Sequence, residues 1–372
     1  MSAHRHEYLI SVKPVTPIIV SSGQYLDACD YVLARANQGG NIHLIAFSFT
    51  RLQDILSDDE QDSLLAAIEK NPLSTVQVLS KLSEKIAASK DIQRFSIPAS
   101  NAIVNYIKDR VNNIAADAQG KLEFHLFQRT TIGPYIPGSS FKGAVRTAVA
   151  FAAALKKPDI IWQAKRNNKG NNKATIKNFD FDKHLFGNQE TFDDPFRQLK
   201  IADSSVIQTQ AVVEQFIKLK AGKVEKCAQT LREAAVPTAD IGCRLNLTID
   251  NQMVGKEGSI KTSNKLTASQ IVDSCRYFYK GVLEKDLEFF NKVNSSNGGV
   301  KINLSWRTQI LEALNQNAGK MVFPIKLGLG TSDYAKSFKP HFTNKYPISR
   351  KLINKGDEMV PLGWAIAELE EV

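Results

Sequence analysis

Pro137-Gly138-Ser139-Ser140-Phe141-Lys142-Gly143 is the segment whose residue types could do chemistry. Gly138 permits unusual backbone dihedrals, and a serine can cap a helix that starts behind it. Free backbone N–H groups at such a helix start, with the positive end of the helix dipole, form an anion site. Lys142 and Arg146, four residues apart on one helical face, add two positive charges, so phosphate is the natural ligand. The order departs from the nucleotide-hydrolase loop G-x-x-x-x-G-K-[ST], because Gly143 follows Lys142 and Ala144 comes next, which argues against an ATPase. A glycine-bearing turn with a solvated lysine and arginine fits the same residues, and the local sequence leaves both readings open.

A second candidate is Tyr334 to Gly356, which holds six Lys or Arg and no acid. Phe338, Phe342 and Tyr346 alternate there with Lys336, Lys339, Lys345, Arg350 and Lys351, a pattern suited to stacking bases and neutralising phosphates. A solvated loop anchored by its aromatics fits equally. Catalytic types are scattered. Asp203 could be a metal-binding or general-base carboxylate, but in Ile201-Ala202-Asp203-Ser204 it reads better as a cap for backbone N–H groups. His43, in an apolar run, and His184, before Leu185-Phe186-Gly187, read as structural, with a general base for RNA chemistry as the alternative.

Cys29, Cys227, Cys243 and Cys275 lie far apart without a C-x-x-C pair, so reduced and mostly buried thiols are expected. No H-E-x-x-H occurs, and no flavin, nicotinamide or pyridoxal signature stands out, so neither a metal centre nor a cofactor is expected. The net charge of +10 favours a polyanionic partner. No apolar run is long enough to span a bilayer, and the start MSAHRHEYLI lacks a signal-peptide stretch, so a cytoplasmic protein without a membrane partner is expected.

The elements that must position these residues are mixed. Tyr8 to Val20 and Asn41 to Phe49 read as a strand pair, joined through a functional turn at Ser21-Ser22-Gly23. Ser57 to Ser89 has helical spacing in two helices, the second carrying Val76, Leu79, Leu82 and Ile86. Leu122 to Gln128 alternates as a strand, with Leu122, Phe124 and Leu126 on one face. From Phe141 to Leu155 one apolar stripe follows helical spacing. Lys156 to Asn178 is polar and reads as an exposed loop. Gln198 to Ile207 and Val212 to Leu219 look like a strand pair, Arg244 to Ile249 a strand, and Ala268 to Val293 a long amphipathic helix whose stripe is core. Intermixed strands and helices with insertions give an α+β class.

Ile136 to Thr147 resembles the I-P-G-S-S-[LF]-K-G-x-[IVL]-R signature of RAMP proteins, the RNA-binding subunits of type III CRISPR complexes. Thr16-Pro17-Ile18 to Ser22-Gly23 with Asp30-Tyr31-Val32, Asp194-Pro195-Phe196-Arg197 with Ile201 to Ser204, Leu327 to Gly330, Pro347 to Leu352 and Pro361-Leu362-Gly363-Trp364 are similar to the Csm-type branch, the member that caps the guide RNA 3′ end. The resemblance implies an RRM-like, ferredoxin-like core with helical and loop insertions. Residues 1–220 would form that core, with a helical insertion around 52–116 and a flexible loop at 156–178. Residues 221–372 would form a smaller α+β part with the long helix and basic tail. It further implies guide RNA (crRNA) as ligand, a neighbouring RAMP backbone subunit as partner, host trimming nucleases as recruits, and a structural role; the alternative is a RAMP-type endoribonuclease. The RNA contacts it implies are Ser21, Ser22, Gly23, Gly138, Ser139, Ser140, Lys142, Gly143 and Arg146, with Lys336, Lys339, Arg350 and Lys351 from the tail.

Overall fold

The computed structural model describes residues 4–35, 40–112, 122–160, 181–187, 193–238, 242–255, 260–296, 298–331, 335 and 348–372. The strands are β1 Arg5–Pro14, β2 Ser21–Leu26, β3 Tyr31–Arg35, β4 Ile42–Phe47, β5 Gln93–Pro98, β6 Phe124–Phe127, β7 Leu199–Ile201, β8 Thr209–Lys220, β9 Lys223–Ala235, β10 Cys243–Asp250, β11 Val322–Lys326, β12 Ser349–Asn354, β13 Met359–Pro361 and β14 Trp364–Glu371. Among the described residues they form three sheets, ordered β11-β14-β1-β10-β7, β13-β12-β8-β9-β6-β2 and β3-β4-β5.

The first sheet carries the expected core. It is antiparallel throughout, and without the edge strand β11 its order is β14-β1-β10-β7. A helix, Gly138–Leu155, lies between β1 and β7 in the chain, and a second, Ala268–Asn294, lies between β10 and β14. That is the βαββαβ ferredoxin-like plan, so the α+β expectation holds. Period-two alternation turns Ile10 and Val12 of β1 and Leu245 and Leu247 of β10 into one core, where both helices cover them. Phe141 meets Phe323 with ring centroids 6.5 Å apart, and the Tyr279 hydroxyl donates to the Ala144 carbonyl at 3.0 Å. The long helix starts where expected, with Thr267 and Gln270 forming a reciprocal cap. Its stripe, including Ile271, Cys275, Phe278 and Val282, is buried as core.

The other two sheets correct several expectations. β4 pairs with β3 and β5, while β1 pairs with β10 and β14, so the first two predicted strands are not a pair. Ser21-Ser22-Gly23 opens the bulged strand β2 and is not a free turn. β7 pairs with β10 and β8 pairs with β9 and β12, so the pair expected at 198–219 is divided between sheets. The insertion at 52–116 contains strand β5 as well as helices, and its second helix breaks into Pro72–Lys81 and Ser83–Ala88. Position 220 falls at the tip of the β8–β9 hairpin, where Ala221 and Gly222 have φ of 49° and 74°, and the last strand, β14, completes the core sheet. Residues 1–220 and 221–372 are therefore interleaved and do not separate there. Of the cysteines, Cys243 and Cys275 are buried, Cys29 is half-buried and Cys227 is exposed. The loop expected at 156–178 lies, beyond residue 160, outside the described residues. No helix among the described residues is long and apolar enough to cross a membrane.

Candidate nucleic-acid interface

The glycine segment starts a helix, as its spacing predicts, but its polar groups turn inward. The Gly138 amide donates to Asp203 Oδ1 at 2.9 Å, and the Ile136 amide donates to Ser204 Oγ at 2.9 Å. In return the Ser204 amide donates to the Ile136 carbonyl at 3.0 Å. A Cβ on Gly138 would stand 2.2 Å from the Ile201 carbonyl oxygen, so only glycine allows this approach. Asp203 thus caps backbone N–H, the preferred of its two expected readings.

Lys142 and Arg146 are likewise committed. Lys142 Nζ donates to the Leu199 carbonyl at 2.8 Å, and burial pushes its pKa down. Arg146 Nη1 reaches Asp194 Oδ2 at 2.7 Å, and its guanidinium lies 4.7 Å from the centre of the Phe196 ring. Asp194 Oδ1 accepts the Phe196 amide at 3.0 Å. Arg146 therefore clamps the Asp194-Pro195-Phe196-Arg197 turn and Lys142 the start of β7 just behind it, and the two-cation phosphate grip expected of them is not what this geometry builds. What stays outward on the helix is exposed Ser139 and exposed Gly143, with half-buried Ser140 beside them. Nothing lies within 4 Å of a Cβ placed on Gly143, which leaves a smooth surface one helical turn long.

These interlocks tie together residues 48 to 68 positions apart in sequence, and a family model matches across them, over residues 12–318. The chain belongs to the RAMP superfamily. A search of curated proteins finds no match. Among solved structures, a chain of a "Csm-crRNA-target RNA ternary complex in type III-A CRISPR-Cas system" resembles this RAMP protein with a TM-score of 0.60 at 16% identity, covering 98% of this chain and 100% of that one. The crystal structure of T. onnurineus Csm5 resembles it with a TM-score of 0.57 at 15% identity, covering 96% and 99%. At such identities the likeness establishes the fold.

The remaining motifs of this RAMP chain also meet one another. The Leu329 amide donates to the Ile19 carbonyl, the Leu327 amide to the Gly363 carbonyl, and the Gly363 amide to the Pro17 carbonyl, at 2.8 Å each. A Cβ on Gly328 would sit 2.1 Å from the Ile19 oxygen and one on Gly330 2.2 Å from the Leu362 oxygen, so both glycines are packing requirements. Behind them Asp286, fully buried, accepts from Lys326 Nζ, from Trp364 Nε1 at 3.2 Å and from Arg350 Nε at 3.4 Å. Arg350 is itself 5% exposed and lies 4.3 Å from the Phe289 ring, so it belongs to the core and not to an exposed basic tail. Lys336 and Lys339 lie outside the described residues.

The second sheet of the RAMP protein presents an outward face. Lys351, half-buried on β12, reaches Glu214 Oε1 at 3.0 Å, and Arg232 Nε on β9 reaches Glu214 Oε2 at 2.7 Å. His125 on β6 pairs with Arg232 on one side and Tyr25 of β2 on the other. Ser21 and Ser22 stand on the same edge strand, their Oγ atoms accepting the Gly23 and Gln24 amides at 3.3 and 3.1 Å. A polar cleft of about 700 Å³, lined by Lys13, Ser205, Gln208 and Arg244 among others, opens beside the Asp203 interlock. Sequence reasoning missed Glu214, Arg232 and Asp286, and the pairing of Asp194 with Arg146, because the partners come from distant segments. His125 had a signal: it is the outward position between buried Phe124 and Leu126. Of the catalytic alternatives, His43 Nδ1 contacts Ser96 Oγ at 2.9 Å, and burial pushes its pKa down; His184 is exposed.

Proposed function

We propose that this RAMP chain is a structural, guide RNA-binding subunit of a type III-A CRISPR effector complex, capping the 3′ end of the guide and supporting its maturation. The observation that carries the reading is full-length correspondence: the family match and the likeness to a chain of a Csm-crRNA-target RNA complex and to Csm5 each cover most of the molecule. Its partners would be the guide RNA, a neighbouring RAMP backbone subunit and host trimming nucleases. A non-catalytic role is supported by the structural employment of Asp203, which caps Gly138, and of His43, which contacts Ser96.

The smooth surface at Ser139 and Gly143, Ser21 to Gly23 on the edge strand, and Lys351 would contact the RNA backbone, positioning it without reading its bases. The test is co-purification of the chain with its genomic neighbours and sequencing of the bound RNA with and without it. Loss of uniform guide 3′ ends on deletion is the expected result. Unchanged 3′ ends would reject the cap. Divalent metal-dependent cleavage of guide precursor by the purified chain, abolished in Asp203→Ala or His43→Ala, would establish the endoribonuclease reading instead.

A further inference from the structure

We infer that the outward face of the six-stranded sheet is a base-stacking platform for single-stranded RNA, centred on Tyr25 and His125 and flanked by Arg232 and Lys351. The inference rests on the RNA-binding reading above and gives it a site distinct from the signature loop.

Register places the four side chains on one face. Tyr25 is directly opposite His125, and His125 is directly opposite Arg232. Their chain neighbours Leu26, Phe124 and Leu231 point the other way and are buried against the small three-stranded sheet and its helix. Tyr25 is 50% exposed, and its ring centroid is 6.0 Å from that of His125 at an interplanar angle of 52°. The pair packs ring against ring across the two strands, and the half of Tyr25 that stays exposed leaves two adjacent ring faces that suit unstacked bases. Glu214 lies below the row, its side chain 3% exposed, and engages both Arg232 and Lys351. It fixes the two cations along the path that a strand leaving the Tyr25 edge would follow.

The edge itself distinguishes RNA from a protein strand. β2 is the last strand of its sheet among the described residues, and an edge strand invites strand addition. Here the register slips between Ser21 and Tyr25, Gly23 has φ of 80°, and the Ser21 and Ser22 side chains take the Gly23 and Gln24 amides. The bulge removes the regular row of donors that a partner strand needs. It leaves open space over Gly23, where nothing lies within 4 Å of a placed Cβ, so a sugar-phosphate backbone can approach closely.

The open face of the ferredoxin-like sheet offers less. There Ser11 and Leu9 of β1 stand between Glu368 and Glu370 of β14 on one side and Arg244 and Asn246 of β10 on the other, with no aromatic residue among Leu9, Ser11 and Lys13 of β1 or Arg244, Asn246 and Thr248 of β10.

The experiment measures binding of the full chain to a labelled short single-stranded RNA by fluorescence anisotropy, with thermal unfolding as a control. Tyr25→Ala and His125→Ala are each expected to weaken binding about tenfold, and Tyr25→Phe less than about twofold, because the phenyl ring still stacks. Tyr25→Ala should leave the slope of affinity against salt unchanged, since no phosphate partner is lost, whereas Lys351→Gln should reduce it, because the single Glu214 carboxylate neutralises only one of the two cations, Lys351 and Arg232, that it engages. If wild-type chain binds RNA and both alanine variants bind equally well, the platform is wrong and the RNA-binding reading stands. If wild-type chain fails to bind RNA both alone and with its neighbouring subunits, both readings fall. Alanine variants that keep RNA affinity but drop out of the assembled complex would overturn the platform in favour of a protein interface.

Discussion

Asp203 Oδ1 accepts the Gly138 amide at 2.9 Å, so the helix start that looks like a phosphate cradle is closed by the protein's own carboxylate. A helix N-terminus attracts negative charge whatever its source, and an internal carboxylate occupies it at no cost in translational freedom.

Asp203→Ala should therefore destabilise the fold by about 0.5–2 kcal/mol, the usual cost of a lost N-terminal cap, and Asp203→Asn by less. Denaturant unfolding measures both. Gly138→Ala should cost far more, because its Cβ collides with the Ile201 carbonyl oxygen. Equal stability of wild type and Gly138→Ala would show that the interlock is not formed.

Arg146→Ala should cost about 1 kcal/mol, a modest figure because the Asp194 pair is about a third exposed on the arginine side. The salt dependence of RNA binding should change little, because Arg146 already has a protein carboxylate. A fall in that slope by about one ion would instead show that Arg146 leaves Asp194 for phosphate.

Gly143→Ala should stabilise the helix by about 0.5–1 kcal/mol, since the site is helical and its Cβ would enter open space. Gly143→Trp should fold but block whatever docks across Ser139 and Gly143. Native guide retention by the tryptophan variant in a pull-down would exclude that surface from the complex.

Asp286→Asn should be severely destabilising, by about 3–5 kcal/mol, because it leaves Lys326 and Arg350 buried against each other without their carboxylate. Arg350→Glu should lose the folded state for the same reason, so its RNA binding reports stability and not contact. A soluble, cooperatively unfolding Asp286→Asn protein with wild-type midpoint would contradict this.

Burial holds the His43 pKa below the ordinary value of 6.5. The unfolded chain takes up that proton first, so stability present above pH 6.5 is lost as pH falls from there toward the folded value. Thermal unfolding midpoints of His43→Gln should show less of this acid loss than wild type. His125 is also held low, by burial first and then by Arg232 and Lys351, against Glu123 and Glu214. An RNA phosphate beside it would favour the imidazolium, so RNA affinity should rise as pH falls below the ordinary histidine value of 6.5 in wild type and stay flatter in His125→Ala.

The apolar stripe from Phe141 to Leu155 and the long helix from Ala268 were legible because a helix buries every third or fourth residue whatever it packs on. The short motifs were legible too, and they meet in space. β9 was missed because Lys223 to Gln229 carries its apolar residues Val224, Cys227 and Ala228 out of alternation and is exposed apart from half-buried Val224, so no period-two signal exists there. β5 was missed because the helices around it dominate the pattern.

By itself the sequence determined the α+β class, the RAMP family signature, the helix start at Gly138 and the excess of positive charge. Only the tertiary structure decided which cations are available to a ligand. The reason is that a lysine or arginine reads the same in sequence whether its partner is water or a buried acceptor. Asp194, Leu199 and Asp286 lie 48 to 64 residues away from the cations they engage, and only folding brings them within hydrogen-bond reach of Arg146, Lys142 and Arg350.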